Sequence, residues 1–135
     1  MTAQAQKKIP LLKGMYVLTI LIAGGFGVMI LAAPDQAMSA MGFPAPEPIM
    51  VGITASVFLA FGLLSILGFR SPLKFCPVLL LQLAYKSIWF VAVVLPLAIT
   101  NKLPDYSWLT IAIFAVFVIG DLIALPFGYL LEKAQ

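Results

Sequence analysis

The chain has 135 residues, of which 63% are hydrophobic and only 10% charged. A water-soluble domain of this size carries about 25% charged residues, so too little polar surface remains to cover a soluble globule. Histidine is absent, Cys76 is the single cysteine and the net charge is +3; this excludes an intrachain disulfide, a Ser-His or Cys-His catalytic pair and the usual protein-ligated zinc, copper and haem sites, and implies no cofactor.

Residues 1–13 are polar and basic, with Lys7, Lys8 and Lys13. The first apolar block spans about 14–33 and ends at Pro34-Asp35. Its length fits a membrane helix better than the shorter core of a cleaved signal peptide, despite the small residues Ala37-Met38-Ser39-Ala40 beyond it. Gly24, Gly25 and Gly27 lie inside this block with no strand before them, so they indicate close helix packing rather than a phosphate loop. The connection to Pro48 carries Met38, Met41 and Phe43, which suit a segment on the membrane surface, a cap over a cavity or an ordinary link. The second block covers about 49–68, and a basic turn with Arg70 and Lys74 leads to the third, about 75–99. Cys76, beside Pro77 at that start, reads as a small apolar residue. A turn over 101–105 precedes the fourth block, about 106–131, and the tail is Glu132–Gln135.

Blocks of about 20 apolar residues match the roughly 30 Å hydrocarbon thickness at 1.5 Å per residue. Membrane-barrel strands would alternate with period two over about ten residues, and no such pattern appears. Counting Lys and Arg in the connections places Lys7, Lys8, Lys13, Arg70, Lys74 and Lys133 on one side and Lys102 alone on the other. The basic side is cytoplasmic by the positive-inside rule, so topology accounts for the charge and no nucleic-acid partner is expected. Tyr16, Tyr106, Trp108 and Tyr129 fall near block ends, where headgroup-level rings are common. The expected fold is all-α: one integral membrane domain over 1–135, an antiparallel four-helix bundle with both termini inside, in the cell membrane and specifically a bacterial inner membrane.

Lys86 and Asp121 lie near the middle of the third and fourth blocks. Each is some ten residues from the cytoplasmic end of its block, about 15 Å deep, so antiparallel neighbours bring them level. An isolated charge there costs at least ~3 kcal/mol. Three arrangements answer that cost: a structural ion pair, a role in ligand or proton handling, or no direct pairing, and Tyr85, Gln82 and Thr110 are placed to share either partner of a pair. At 100° per residue, Gln82, Tyr85, Lys86, Trp89, Val93 and Pro96 share one face of the third helix. Thr110, Phe114, Phe117, Leu125 and Gly128 gather around Asp121, and Thr54, Phe58, Phe61, Gly62 and Ser65 form a third face. Packed together they line a largely aromatic cavity suited to a lipophilic ligand with a polar head. Pro96 and Pro126 each free a carbonyl four residues back, for a bend or for a ligand donor. The expected ligand-binding residues are therefore Gln82, Tyr85, Lys86, Trp89, Asp121, Thr54 and Phe117, with no metal site and no assigned catalytic residue.

The stretch Gly27 to Pro34, the Met41-Gly42-Phe43-Pro44 loop and the glycine-bearing second block ending at Gly68 resemble the DoxX-like group of small four-helix bacterial membrane proteins. The likeness covers about the first half of the chain. It implies a link to quinone-dependent sulfur oxidation or an accessory redox role, and it brings no catalytic motif to carry over. The leading expectation is an accessory or binding protein that holds a lipophilic small molecule, a quinone among the candidates, or a membrane partner subunit or second copy of itself. An enzyme acting on a lipid-like substrate through Lys86 and Asp121, and a small proton-coupled transporter using Asp121, are the alternatives.

Overall fold

Three of the four long apolar segments open on a proline, whose missing N–H costs nothing in a first helical turn. In a computed structural model, which describes residues 2–133, the helices are α1 (Ala3–Lys7), α2 (Ile9–Ala32), α3 (Pro34–Ala40), α4 (Pro48–Arg70), α5 (Pro72–Ile99), α6 (Ser107–Ala124) and α7 (Phe127–Leu130). The last two residues of the expected tail lie outside the described ones. The chain is 83% helical with no strand among the described residues. Helices α2, α4, α5 and α6 are each long and apolar enough to cross a membrane.

Local chemistry sets the boundaries. Glu47 caps α4, its carboxylate accepting from the N–H groups of Ile49 and Met50 at 2.8 Å each. Those two bonds hold its carboxyl below the ordinary value of 4.5. Pro77 cannot donate to the carbonyl of Leu73, and the buried Cys76 thiol donates to that carbonyl instead, at 3.0 Å. Ahead of Pro96, α5 loosens into a π-turn over Phe90–Val94, closed by the Leu95 N–H donating to the carbonyl of Phe90. A second π-turn, Ile20–Gly24, interrupts α2.

The fourth helix stops at Ala124 rather than continuing to about 131. Pro126 removes the donor that would reach Leu122, Leu125 turns extended, and the Phe127 N–H folds back to Leu125. The carbonyl of Ile123, left without its helical donor, accepts from the Lys8 ammonium. A cation at a helix C-terminus also opposes the helix dipole.

Packing is uneven along the molecule. The Ile9–Thr19 half of α2 touches α4, α5 and α6, whereas its Gly25–Ala32 half packs chiefly on α4 and α3. Beyond Trp89, α5 touches no other helix more than weakly. The larger core therefore lies around Leu12, Tyr16, Leu79, Phe117 and Leu125, and a smaller one gathers around Ile30, Ala37 and Ala55. Tyr16, expected at the headgroup level, is fully buried, and its hydroxyl donates to the carbonyl of Pro72 at 2.8 Å. Gly68 makes room for that ring. Gly24 meets Gly62 backbone to backbone, and Gly27 lies against the backbone of Ala55 and Leu59. Gly25 faces open space. Leucine, isoleucine and valine side chains such as Leu21, Leu63, Ile88 and Ile119 point outward, as a lipid-facing surface requires.

Candidate functional site

The uneven packing leaves a cavity of about 740 Å³ between the smaller core and the aromatic faces of α5 and α6. That volume lies within the range of small-molecule pockets. Ile22, Ala23, Phe26 and Ile30 of α2 form one wall; Phe114, Phe117, Thr110 and Ile113 of α6 form another. Met38, Met41 and Phe43 from the 34–48 connection also line it, so this connection covers the cavity, and Phe43 stacks at 5.0 Å on Tyr106 at the start of α6. Glu47 stands exposed at the rim. The cavity also opens beside α4, where Ile53, Thr54 and Val57 line it while remaining exposed.

Lys86 closes the inner end. Only 1% of its surface is exposed, yet it belongs to the lining together with Tyr85 and Trp89. The ammonium is held by aromatic faces, 4.3 Å from the Tyr85 ring centre, 4.5 Å from that of Phe114 and 4.6 Å from that of Phe117. It also donates to the Tyr85 hydroxyl. Each such face attracts a desolvated cation by up to ~2 kcal/mol, so three of them offset much of the cost of burial. The rings are fixed by one another: Tyr85 and Trp89 both meet Phe114 edge to face, and Phe61 packs on Tyr85.

Asp121 lies behind this layer, fully buried and outside the lining. It makes no salt bridge with Lys86, so the direct pair expected of two level charges does not form. Its Oδ2 accepts from Gln82 Nε2 at 3.1 Å, and Oδ1 has no hydrogen-bond partner. Gln82 reaches a third helix as well, its Nε2 lying 3.3 Å from Thr19 Oγ1. Thr19 spends its own proton on the Met15 carbonyl at 2.8 Å, which leaves the hydroxyl free to accept. A chain of neutral and charged groups, Thr19–Gln82–Asp121, thus ties α2, α5 and α6 together one turn below Lys86.

Of the seven site residues expected from sequence, Thr54, Tyr85, Lys86, Trp89 and Phe117 face the cavity. Gln82 and Asp121 form the buried layer under it. Val93 and Pro96 leave the face assigned to them and point outward. Beyond Trp89 α5 has no helix packed against it, so residues there are exposed whatever their face, and the π-turn over Phe90–Val94 further interrupts the regular 100° spacing. Gly128 likewise falls beyond the break at Pro126. Thr19 and the α2 wall of Ile22, Ala23, Phe26 and Ile30 were missed; the signal for Thr19 was a hydroxyl residue in an otherwise apolar block, four positions from the buried Met15 and Ala23.

Gln82→Leu is expected to cost about 2–3 kcal/mol, because a hydrogen bond to a charged group is lost and both carboxylate oxygens are left bare. Gln82→Glu will not restore it, since a second carboxylate then faces Asp121. Thermal unfolding in detergent, followed by circular dichroism, measures both.

Comparison of the chain with protein-family models, with curated proteins and with solved structures finds no match to any of the three.

Proposed function

We propose that this is a small multi-pass protein of a bacterial inner membrane that binds a lipophilic molecule in the cavity between its helices. The observation that carries the reading is Lys86: a fully buried ammonium facing a large apolar cavity supplies orientation to whatever fills it. The same reading takes the helices as an antiparallel bundle with both termini cytoplasmic. Lys8 meets the end of α6, Tyr16 meets the start of α5 and Phe43 meets the start of α6, pairings that alternating helices would produce. The basic residues concentrate at the Lys8 end, which the positive-inside rule makes cytoplasmic. The cavity then faces the outer half of the bilayer. A redox-accessory role of the DoxX-like kind accords with a lipophilic occupant.

Binding fits the geometry better than acid–base catalysis, since Asp121 does not reach the cavity. It also fits better than transport, since the Leu12–Tyr16–Leu79 core closes the cytoplasmic half. Native mass spectrometry of protein extracted in mild detergent is expected to show a co-purified small molecule. Ala23→Trp, which fills the cavity from α2, is expected to remove it without unfolding the protein. Equal retention by Ala23→Trp would place any bound molecule on the lipid surface and end this reading.

A further inference from the structure

Resting on the reading of the cavity as a binding site, we infer that its occupant is a long-chain aldehyde and that Lys86 holds it covalently, as a Schiff base. Lys7, Lys74, Lys102 and Lys133 are exposed, whereas Lys86 is fully buried and still belongs to the lining of an apolar cavity. A lysine desolvated in a hydrophobic pocket is the usual protein nucleophile toward a carbonyl carbon. No carboxylate ties up the nitrogen: Asp121 makes no salt bridge with it and is bound to Gln82 behind the lining. The nitrogen instead donates to the Tyr85 hydroxyl, which lines the same cavity. Because that hydroxyl accepts from Lys86, its own hydrogen is left to donate elsewhere. A nucleophilic nitrogen beside an O–H donor matches the two ends of one carbonyl group, nitrogen to carbon and hydrogen to oxygen.

The lone pair of the amine adds to the aldehyde carbon, and the π pair of the C=O bond moves onto oxygen, where the Tyr85 hydroxyl donates. A proton passes from nitrogen to that oxygen and gives the carbinolamine. The nitrogen pair then forms C=N and expels the hydroxyl, which leaves as water with the second amine proton. Nothing is oxidised or reduced. Nor does the charge of the layer change, however its protons are shared with Asp121, because an amine becomes an imine and an ammonium an iminium. The faces of Tyr85, Phe114 and Phe117 that hold the ammonium hold an iminium as well. From Glu47 at the rim to Phe58, which meets Phe114, the α4 wall rises about 16 Å at 1.5 Å per residue. Ile22, Ile30, Val51 and Ile113 make that length apolar, as an extended alkyl tail requires.

The test uses full-length protein in phosphatidylcholine nanodiscs, whose lipid carries no primary amine. Trp108→Phe leaves Trp89 in the cavity wall as the single indole. Tetradecanal is added with cyanoborohydride, which reduces an imine to a stable secondary amine, and labelling is followed by intact mass and peptide mapping. One tetradecyl group is expected on Lys86, formed at least about tenfold faster than on any exposed lysine. Ala23→Trp, which keeps Lys86 but fills the cavity, should lose that label and retain the slow ones. Tyr85→Phe should slow it about a hundred-fold. Tetradecan-1-ol, of equal length without a carbonyl, is titrated in parallel against Trp89 emission and should saturate. Saturation by the alcohol overturns the Schiff base, and leaves the cavity a binding site, if Lys86 is labelled no faster than the exposed lysines. Undiminished labelling of Ala23→Trp or Tyr85→Phe overturns it equally. No saturable change with either alcohol or aldehyde removes the binding reading itself.

Discussion

Lys86→Met is expected to destabilise the protein by about 3–5 kcal/mol, more than Asp121→Leu does, and joining the two substitutions should recover most of the loss. Removing one of two opposed buried charges strands the other, and that stranding dominates the measured cost. The two losses differ because the surroundings differ. Without Asp121, Lys86 still has three ring faces and the Tyr85 hydroxyl. Without Lys86, Asp121 keeps one bond from Gln82 and an oxygen with no partner. Unfolding of the four proteins in mixed micelles gives the coupling directly as a double-mutant cycle. Additive losses would show that the two groups are independent despite their common depth.

Gly27→Val should cost about 3 kcal/mol and also empty the cavity. A Cβ at this position would lie 2.7 Å from the Leu59 nitrogen and 2.8 Å from the Ala55 oxygen, both backbone atoms of α4. Side chains can rotate out of an overpacked site, but a helix backbone can only be pushed away as a unit. Since the second half of α2 rests chiefly on α4, moving them apart shifts Phe26 and Ile30 relative to Val51 and Phe58, which together form the cavity wall. Gly25→Ala is the control: nothing lies within 4 Å of its added carbon, so its effect should stay within about 0.5 kcal/mol. Stability and co-purified ligand are both measured, and a Gly27→Val protein as stable as Gly25→Ala would contradict the close approach.

The long spans were legible because their signal is composition over twenty residues, which a few local exceptions cannot erase. The faces of α5 were legible only as far as the helix stays regular. Gln82, Tyr85, Lys86 and Trp89 keep a common side, whereas Val93 lies where α5 has left its neighbours and where a π-turn interrupts the pitch, neither of which a hydrophobic pattern announces. The partner of Asp121 was hidden for another reason. Depth and face bring Lys86 and Asp121 near each other, but the choice between Lys86 and Gln82 is made by rotamers, and the aromatic faces of Tyr85, Phe114 and Phe117 hold the lysine away. Pro126 was visible as a helix-disturbing residue; that Lys8 arrives from the far end of the sequence to meet the carbonyl exposed there was not.

The closed core around Leu12, Tyr16 and Leu79, set against the open cavity above it, has a kinetic consequence. A vessel sealed at its inner end fills and empties only through its outer rim and the adjoining gap beside α4. Turnover of the occupant is then set by its own passage past the Met38–Phe43 cover and the Ile53–Val57 edge of α4. An incoming molecule cannot push the resident one through. Exchange should therefore be first order in occupied protein and insensitive to the concentration of competitor once that is saturating.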